Sequence, residues 1–270
     1  MRLGIGSFSY PWAVGVPQFP RLPTPMDAFS LLEAAARLGV QSVQYVDNLP
    51  LRDLSERQLA ELIARADAAD IRIEVGMRGT DASEIRAYLA LVGRLGGDYL
   101  RIMTDGVAAN DTPDVGQILE RLFPLVPEFE DAGIKMALEN FDRFTAYETV
   151  GMVEALGSDA AAVCLDTVNS IGAGEGTAQV IETLAPYTVN LHIKDFAVRR
   201  QPHRLGFIVD GTPVGRGQLD VAALLAQMPD GVSVTLEQWT PLSPGGIEET
   251  CREEALRVEQ SIAYLKPLVR

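Results

Sequence analysis

Four segments late in this sequence, KMALEN, AVCLDT, NLHIKD and VTLEQW, each carry a side chain able to bind a cation or move a proton: Glu139, Asp166, His192 and Glu237. Three carboxylates and one imidazole suit a hard or borderline divalent ion such as Mn²⁺, Mg²⁺ or Co²⁺. Zinc ranks behind these for lack of thiolates or further histidines, though a site of this kind accepts it. Each residue has an ordinary structural reading as well. An acidic residue after a strand often caps the next helix, as Asp166 before Thr167 would. A buried histidine is often held by hydrogen bonds alone. It is their joint pattern that points to a site.

That pattern is one of side-chain parity. Successive residues of a strand point to opposite faces. Steps of two from the four candidates reach Ala137 and Lys135, Cys164 and Ala162, Asn190 and Lys194, and Thr235 and Ser233. The other parity holds Met136 and Leu138, Val163 and Leu165, Leu191 and Ile193, and Val234 and Leu236. One face is therefore large and apolar, fit to pack against helices, while the opposite face is small or polar and carries all four candidates.

The elements that must position them alternate along the whole chain. Strands are predicted at Leu3–Ser7, Ser42–Val46, Arg72–Gly76, Tyr99–Met103, Lys135–Glu139, Ala162–Asp166, Val189–Lys194 and Ser233–Glu237. Between them AFSLLEAAARLG, ERQLAELIARADAAD, ASEIRAYLALVGRLG and EEALRVEQSIAYL repeat apolar residues at helical spacing. Gly39, Gly133 and Gly157 fall where helices stop. Eight such units in 270 residues predict a single-domain (β/α)8 barrel over residues 1–270, whose active site forms at the C-terminal ends of the strands. A doubly wound sheet would need a glycine-rich turn after the first strand, where SFSYPWAVGVPQFPRLPTP stands instead.

With hydrophobic residues at 47%, a substantial core is expected. No apolar run is long enough for a bilayer, and the start MRLGIGSFSYPW lacks the features of a secretory leader. Cys164 and Cys251 are too few for a disulfide framework, so reduced thiols and a cytoplasmic setting are expected. The net charge of −14 argues against nucleic acid and anionic membranes as partners.

The strand ends ALEN, LDTVN, LHIKD and TLEQ resemble those of the xylose isomerase-like barrels, the sugar and sugar phosphate isomerases and epimerases. The resemblance implies a metal held by Glu139, Asp166, His192 and Glu237, with Glu139 and Glu237 as catalytic acid and base. It also implies a keto sugar or sugar phosphate as substrate, isomerised or epimerised through a metal-stabilised enediolate. Some epimerases carry histidine where this chain has Asn169, and Asn169 is expected to contact substrate. The apurinic-site endonucleases share the barrel but need many histidines. This chain has only His192 and His203.

Further candidates line the expected mouth. Lys194 shares the parity of His192 and would steady a substrate anion or pair with a carboxylate such as Asp195. Arg101 follows the same logic on the fourth strand. Trp12, with Phe8, would wall the sugar, and Glu74 is a barrel-lining polar residue. The segment FAVRRQPHRLGFIVDGTPVGRGQLD is too long for an ordinary turn and gathers Arg199, Arg200, His203 and Arg204. His203 and Arg204 are expected to bind a substrate carboxylate or phosphate, with a solvated loop or homo-oligomer contact as the competing reading. A grip on a carboxylate would favour the alternative activity, a metal-dependent lyase (decarboxylase or retro-aldol) acting on an oxo sugar acid. A non-catalytic sugar-binding barrel is the third reading.

Overall fold

The computed structural model describes residues 1–108 and 110–269. Strands β1 (Arg2–Gly6), β2 (Ser42–Tyr45), β3 (Arg72–Arg78), β4 (Tyr99–Met103), β5 (Lys135–Glu139), β6 (Ala161–Asp166) and β7 (Thr188–Ile193) come first, each joined to the next through helix. A hairpin of β8 (Asp195–Arg200) and β9 (Phe207–Thr212) follows, and β10 (Ser233–Leu236) is last. The barrel strands close in the order β1-β10-β7-β6-β5-β4-β3-β2, all neighbours parallel. Closure removes every strand edge and brings the eight C-terminal ends to one mouth. The molecule is a (β/α)8 barrel, as the alternation predicts.

The helices are α1 (Pro11–Val14), α2 (Ala28–Leu38), α3 (Glu56–Ala68), α4 (Ala82–Arg94), α5 (Val115–Leu122), α6 (Val126–Ala132), α7 (Ala146–Leu156), α8 (Thr177–Leu184), α9 (Val221–Leu225) and α10 (Ile247–Leu265). Their starts are written locally. Asp27, Ser55, Asp114 and Thr145 each accept the backbone N–H three residues on, and the residue there bonds back. Gly39, Gly133 and Gly157 close α2, α6 and α7 at φ near 60°, a left-handed conformation that costs glycine little. No helix of the described residues is long and apolar enough to cross a membrane.

The outward parity residues Val163, Leu165, Leu191, Ile193, Val234 and Leu236 are fully buried in one core beneath the helices. A separate interior cluster of Tyr99, Ala137 and Cys164 packs inside the barrel with Val189. Val189 is an extra residue in its ladder. Val163 lies level with Thr188, whereas the next residue, Cys164, lies level with Asn190. The bulge sets Asp166 beside His192; an unbroken register would have set it beside Leu191.

The long segment after the seventh strand is not a plain loop. Its two halves pair antiparallel from Asp195↔Thr212 to Arg200↔Phe207. Asp195 organises its base by accepting N–H bonds from Phe196, Gly215, Gly217 and Leu219.

Candidate active site at the barrel mouth

Glu139 and Asp166 end β5 and β6, His192 is next to last in β7, and Glu237 directly follows β10. All four are buried. Their ligand atoms form two overlapping groups that share the imidazole. Asp166, His192 and Glu237 make one and Glu139, Cys164 and His192 the other, with atoms within 4.8 Å of one another in each. His192 Nδ1 lies 3.3 Å from Glu237 Oε1 and 3.5 Å from Glu139 Oε1.

The protonation of that imidazole is set from inside the barrel. Glu74 can only accept, so the Tyr99 hydroxyl donates to it at 2.8 Å. The Tyr99 oxygen then accepts from Gln44 Nε2 at 3.1 Å. Asn190 turns its Nδ2 to the Ser233 carbonyl, so its Oδ1 accepts the other Gln44 N–H at 2.9 Å. Gln44 must therefore aim Oε1 at His192 Nε2, 2.7 Å away, and that nitrogen carries the hydrogen. Nδ1, the nitrogen left for an ion, faces two carboxylates. His192 Nδ1 and Glu237 Oε1 are both buried without a hydrogen-bond partner among the described residues. Converging acceptors with nothing between them are the arrangement a cation completes, so the residues fit a divalent ion.

Two fixed cations complete the charge pattern. The buried Arg101 guanidinium donates through Nε to Glu139 Oε2, and through Nη1 to Asp47 at 3.1 Å and the Met77 carbonyl at 3.2 Å. Gly76 makes room for it, since a Cβ there would lie 2.7 Å from Arg101 Cδ. Lys194 Nζ bridges Asp166 Oδ2 and Glu237 Oε2, the latter at 2.9 Å. The far oxygen of Asp166 accepts the Val168 and Asn169 N–H groups, both at 2.9 Å. Asn169 Nδ2 donates to Glu139 Oε1 at 3.1 Å.

These contacts set the acidities. Burial pushes the Glu139 carboxyl up, but Arg101 and then His192 outweigh it and hold it far below the carboxylate range. Glu237 is likewise lowered, with burial opposed chiefly by His192 and Lys194. Burial prevails at Asp166 and raises it, against Lys194. Burial alone would neutralise His192; the Cys164 sulfur and the carboxylates of Glu237 and Glu139 instead hold its pKa well above the usual imidazole value, so Nδ1 carries a proton that a bound cation would displace.

Above these groups opens a cavity of about 600 Å³. Of the sequence candidates, Glu139, Glu237, Lys194, Asn169, Arg101 and Trp12 line it, and Phe8 joins them. Asp166 and His192 lie beneath its wall. Trp12 is anchored by its indole N–H to the Thr240 carbonyl at 2.7 Å, and by Glu254, which accepts the Trp12 and Ala13 N–H groups. His203 and Arg204 are not brought to the cavity. Hairpin pairing carries them to an exposed tip, where His203 Nδ1 accepts the Leu205 N–H and the Arg204 carbonyl accepts from Arg200. Arg199 pairs with Asp210, and Arg200 lies over the Phe207 ring. Glu74 does line the barrel, tied to Arg2, Ser233 and Tyr99.

Sequence reasoning missed Gln44, Asp47, Arg78 and Trp239. A signal for Gln44 existed, since a glutamine inside the apolar strand SVQYV needs a buried partner. Arg78 continues the inward parity of Glu74 and Gly76 beyond the predicted strand end.

Residues 32–268 match the family described as xylose isomerase-like TIM barrel. The chain is 32% identical over 268 residues to a 3-oxo-isoapionate decarboxylase of Pectobacterium atrosepticum, covering 98% of this chain and 95% of that one. Its fold is similar to a D-psicose 3-epimerase from Clostridium cellulolyticum H10, solved with D-tagatose, at TM-score 0.69 and 19% identity over the full length of both. It is similar also to the IOLI protein solved with a zinc atom, at TM-score 0.69 and 17% identity over 98% of each chain. Strand order, closed register and these matches agree: this chain belongs to the xylose isomerase-like TIM barrel family.

Proposed function

We propose that this protein is a metal-dependent lyase that removes CO2 from a 3-oxo sugar acid. The observation that carries this reading is the burial of Arg101 against Glu139. A carboxylate so paired is a weak base for a carbon-bound proton, which an isomerase must remove. Loss of CO2 needs no such base. It needs positive charge beside the carbonyl oxygen that receives the electron pair, and Arg101 and Lys194 both line the cavity. Whole-length similarity to a decarboxylase of an oxo sugar acid supports the same choice.

The ion would be held by His192 Nδ1, Glu237, Glu139 and Asp166, with Mn²⁺, Mg²⁺ or Co²⁺ suited to these donors. When bound it polarises the substrate carbonyl. Trp12 and Trp239 wall the sugar and limit water. As the bond between the carboxyl carbon and C2 breaks, CO2 leaves and its electron pair passes to C2 and the C3 oxygen. The Lys194 ammonium faces that oxygen and steadies the enolate charge through a hydrogen bond, keeping its own proton. C2 finally takes up one solvent proton in place of the carboxylate.

A second reading, sugar isomerase or epimerase, is favoured by the approach of both Glu139 and Glu237 to His192. It would use the two carboxylates as base and acid on opposite faces of a keto sugar. Incubation with 3-oxo sugar acids and with ketoses in D2O, with added Mn²⁺, separates the two. CO2 release with one deuterium at the former carboxyl-bearing carbon is expected. Deuterium exchange into a ketose without CO2 would reverse the assignment.

A further inference from the structure

We propose that Arg78 is the carboxylate-binding residue of the cavity, selecting acyclic sugar acids over neutral sugars of the same skeleton. The inference deepens the lyase reading and rests on it for the identity of the reacting acid.

Partner accounting singles Arg78 out. Three cations line the cavity: Arg78, Arg101 and Lys194. Arg101 is spent on Glu139, Asp47 and the Met77 carbonyl, and Lys194 on Asp166 and Glu237. Arg78 makes one contact, from Nε to the Asp105 carbonyl at 3.4 Å. Its two terminal nitrogens have no partner among the described residues. The acid of the residue it touches is occupied elsewhere, since the Asp105 carboxylate is bound by Arg143 at 2.7 Å. A half-buried guanidinium with its fork free presents two parallel N–H donors, the geometry a carboxylate takes.

Its position is as telling. Arg78 lies level with Met103, and Gly76 with Arg101, so Arg78 stands one inward step nearer the mouth than Arg101. In the closed order β3 is four strands from β7, hence across the barrel from Lys194. Lys194 and Arg78 thus face one cavity from opposite walls, so a carbonyl and an acid group one carbon apart can each meet one cation. A chain of net charge −14 repels anions at long range, so an anionic substrate needs a local cation to be held. The arginines of the hairpin tip, which the sequence offers for this task, are remote from the cavity.

The test is calorimetric titration of the Mn²⁺-loaded protein with a five-carbon aldonate and with the matching alditol. Wild type is expected to prefer the aldonate. R78M is expected to lose about 10- to 100-fold in aldonate affinity and to leave the alditol unchanged, with R78K intermediate. Wild type without a preference, or R78M with undiminished aldonate affinity, overturns the proposal. Should R78M not fold by circular dichroism, R78K is read alone, and an aldonate affinity equal to wild type overturns it. With an oxo sugar acid, the loss in R78M is expected in KM rather than kcat. Absence of CO2 release from wild type would sink the lyase reading, while the aldonate titration still decides Arg78.

Discussion

Replacing Gln44 by leucine tests the reasoning about His192 most directly. Gln44 Oε1 accepts from His192 Nε2 at 2.7 Å, and the direction of that bond follows from Glu74 and the Ser233 carbonyl, both acceptors only. Leucine removes the acceptor, so the imidazole gains nothing by keeping its hydrogen on Nε2 and is free to rotate or change tautomer. Loss of such an outer partner weakens metal binding by about 10- to 100-fold, or about 1.4–2.7 kcal/mol. The stranded Nε2–H, fully buried, costs about 1–3 kcal/mol of stability. Glutamate at the same position keeps the acceptor for His192 but gives up both N–H bonds to Tyr99 and Asn190. Q44E is therefore expected to lose stability yet hold metal better than Q44L. Free Mn²⁺ measured by electron paramagnetic resonance during titration, beside thermal melts, reads both effects. Q44L with wild-type Mn²⁺ affinity, or Q44E and Q44L with equal affinities, would refute the tautomer argument.

Other expectations follow from the same contacts. Lys194→Met removes the ammonium between Asp166 and Glu237, and kcat is expected to fall about 100-fold or more while the fold persists; a loss under threefold in steady-state kinetics would remove Lys194 from the chemistry. Glu254 is buried and its carboxyl is pushed up to about 8 by that burial, against the Trp12 and Ala13 N–H groups. Its folded pKa exceeds the unfolded value of 4.5, so its contribution is full below about pH 4.5 and is lost as pH rises toward 8. E254Q is expected to flatten that fall in denaturant-measured stability, by several kcal/mol at most; a slope unchanged from wild type over pH 5–8 would count against it. His203→Ala with Arg204→Ala, at the exposed hairpin tip, is expected to change kcat/KM by less than about twofold, and a tenfold loss would show that the tip reaches the substrate.

Some of this molecule is written in local spacing. Apolar residues at helical intervals, caps such as Ser55 and Thr145, and the stops at Gly39, Gly133 and Gly157 specify the helices, because each acts within four residues along the chain. The alternation in KMALE, AVCLD and SVTL fixes which faces turn inward, because strand parity has a period of two. Glu139, Glu237, Lys194 and Arg101 could thus be named for the mouth from sequence, Trp12 from its place after the first strand, and Asn169 from family resemblance. What only the tertiary structure decided depends on neighbours brought across the barrel. The bulge at Val189 sets His192 level with Asp166, and no pattern within β7 announces it. Lys194 pairs with Asp166 and Glu237 because β6 and β10 flank β7; its neighbour in sequence, Asp195, points into the hairpin base. Arg101 masks Glu139 through the space left at Gly76 on an adjoining strand, and hairpin pairing withdraws His203 and Arg204. Periodicity is a property of one segment, whereas charge pairing and buried hydrogen bonds are settled by which segments the closed sheet makes adjacent.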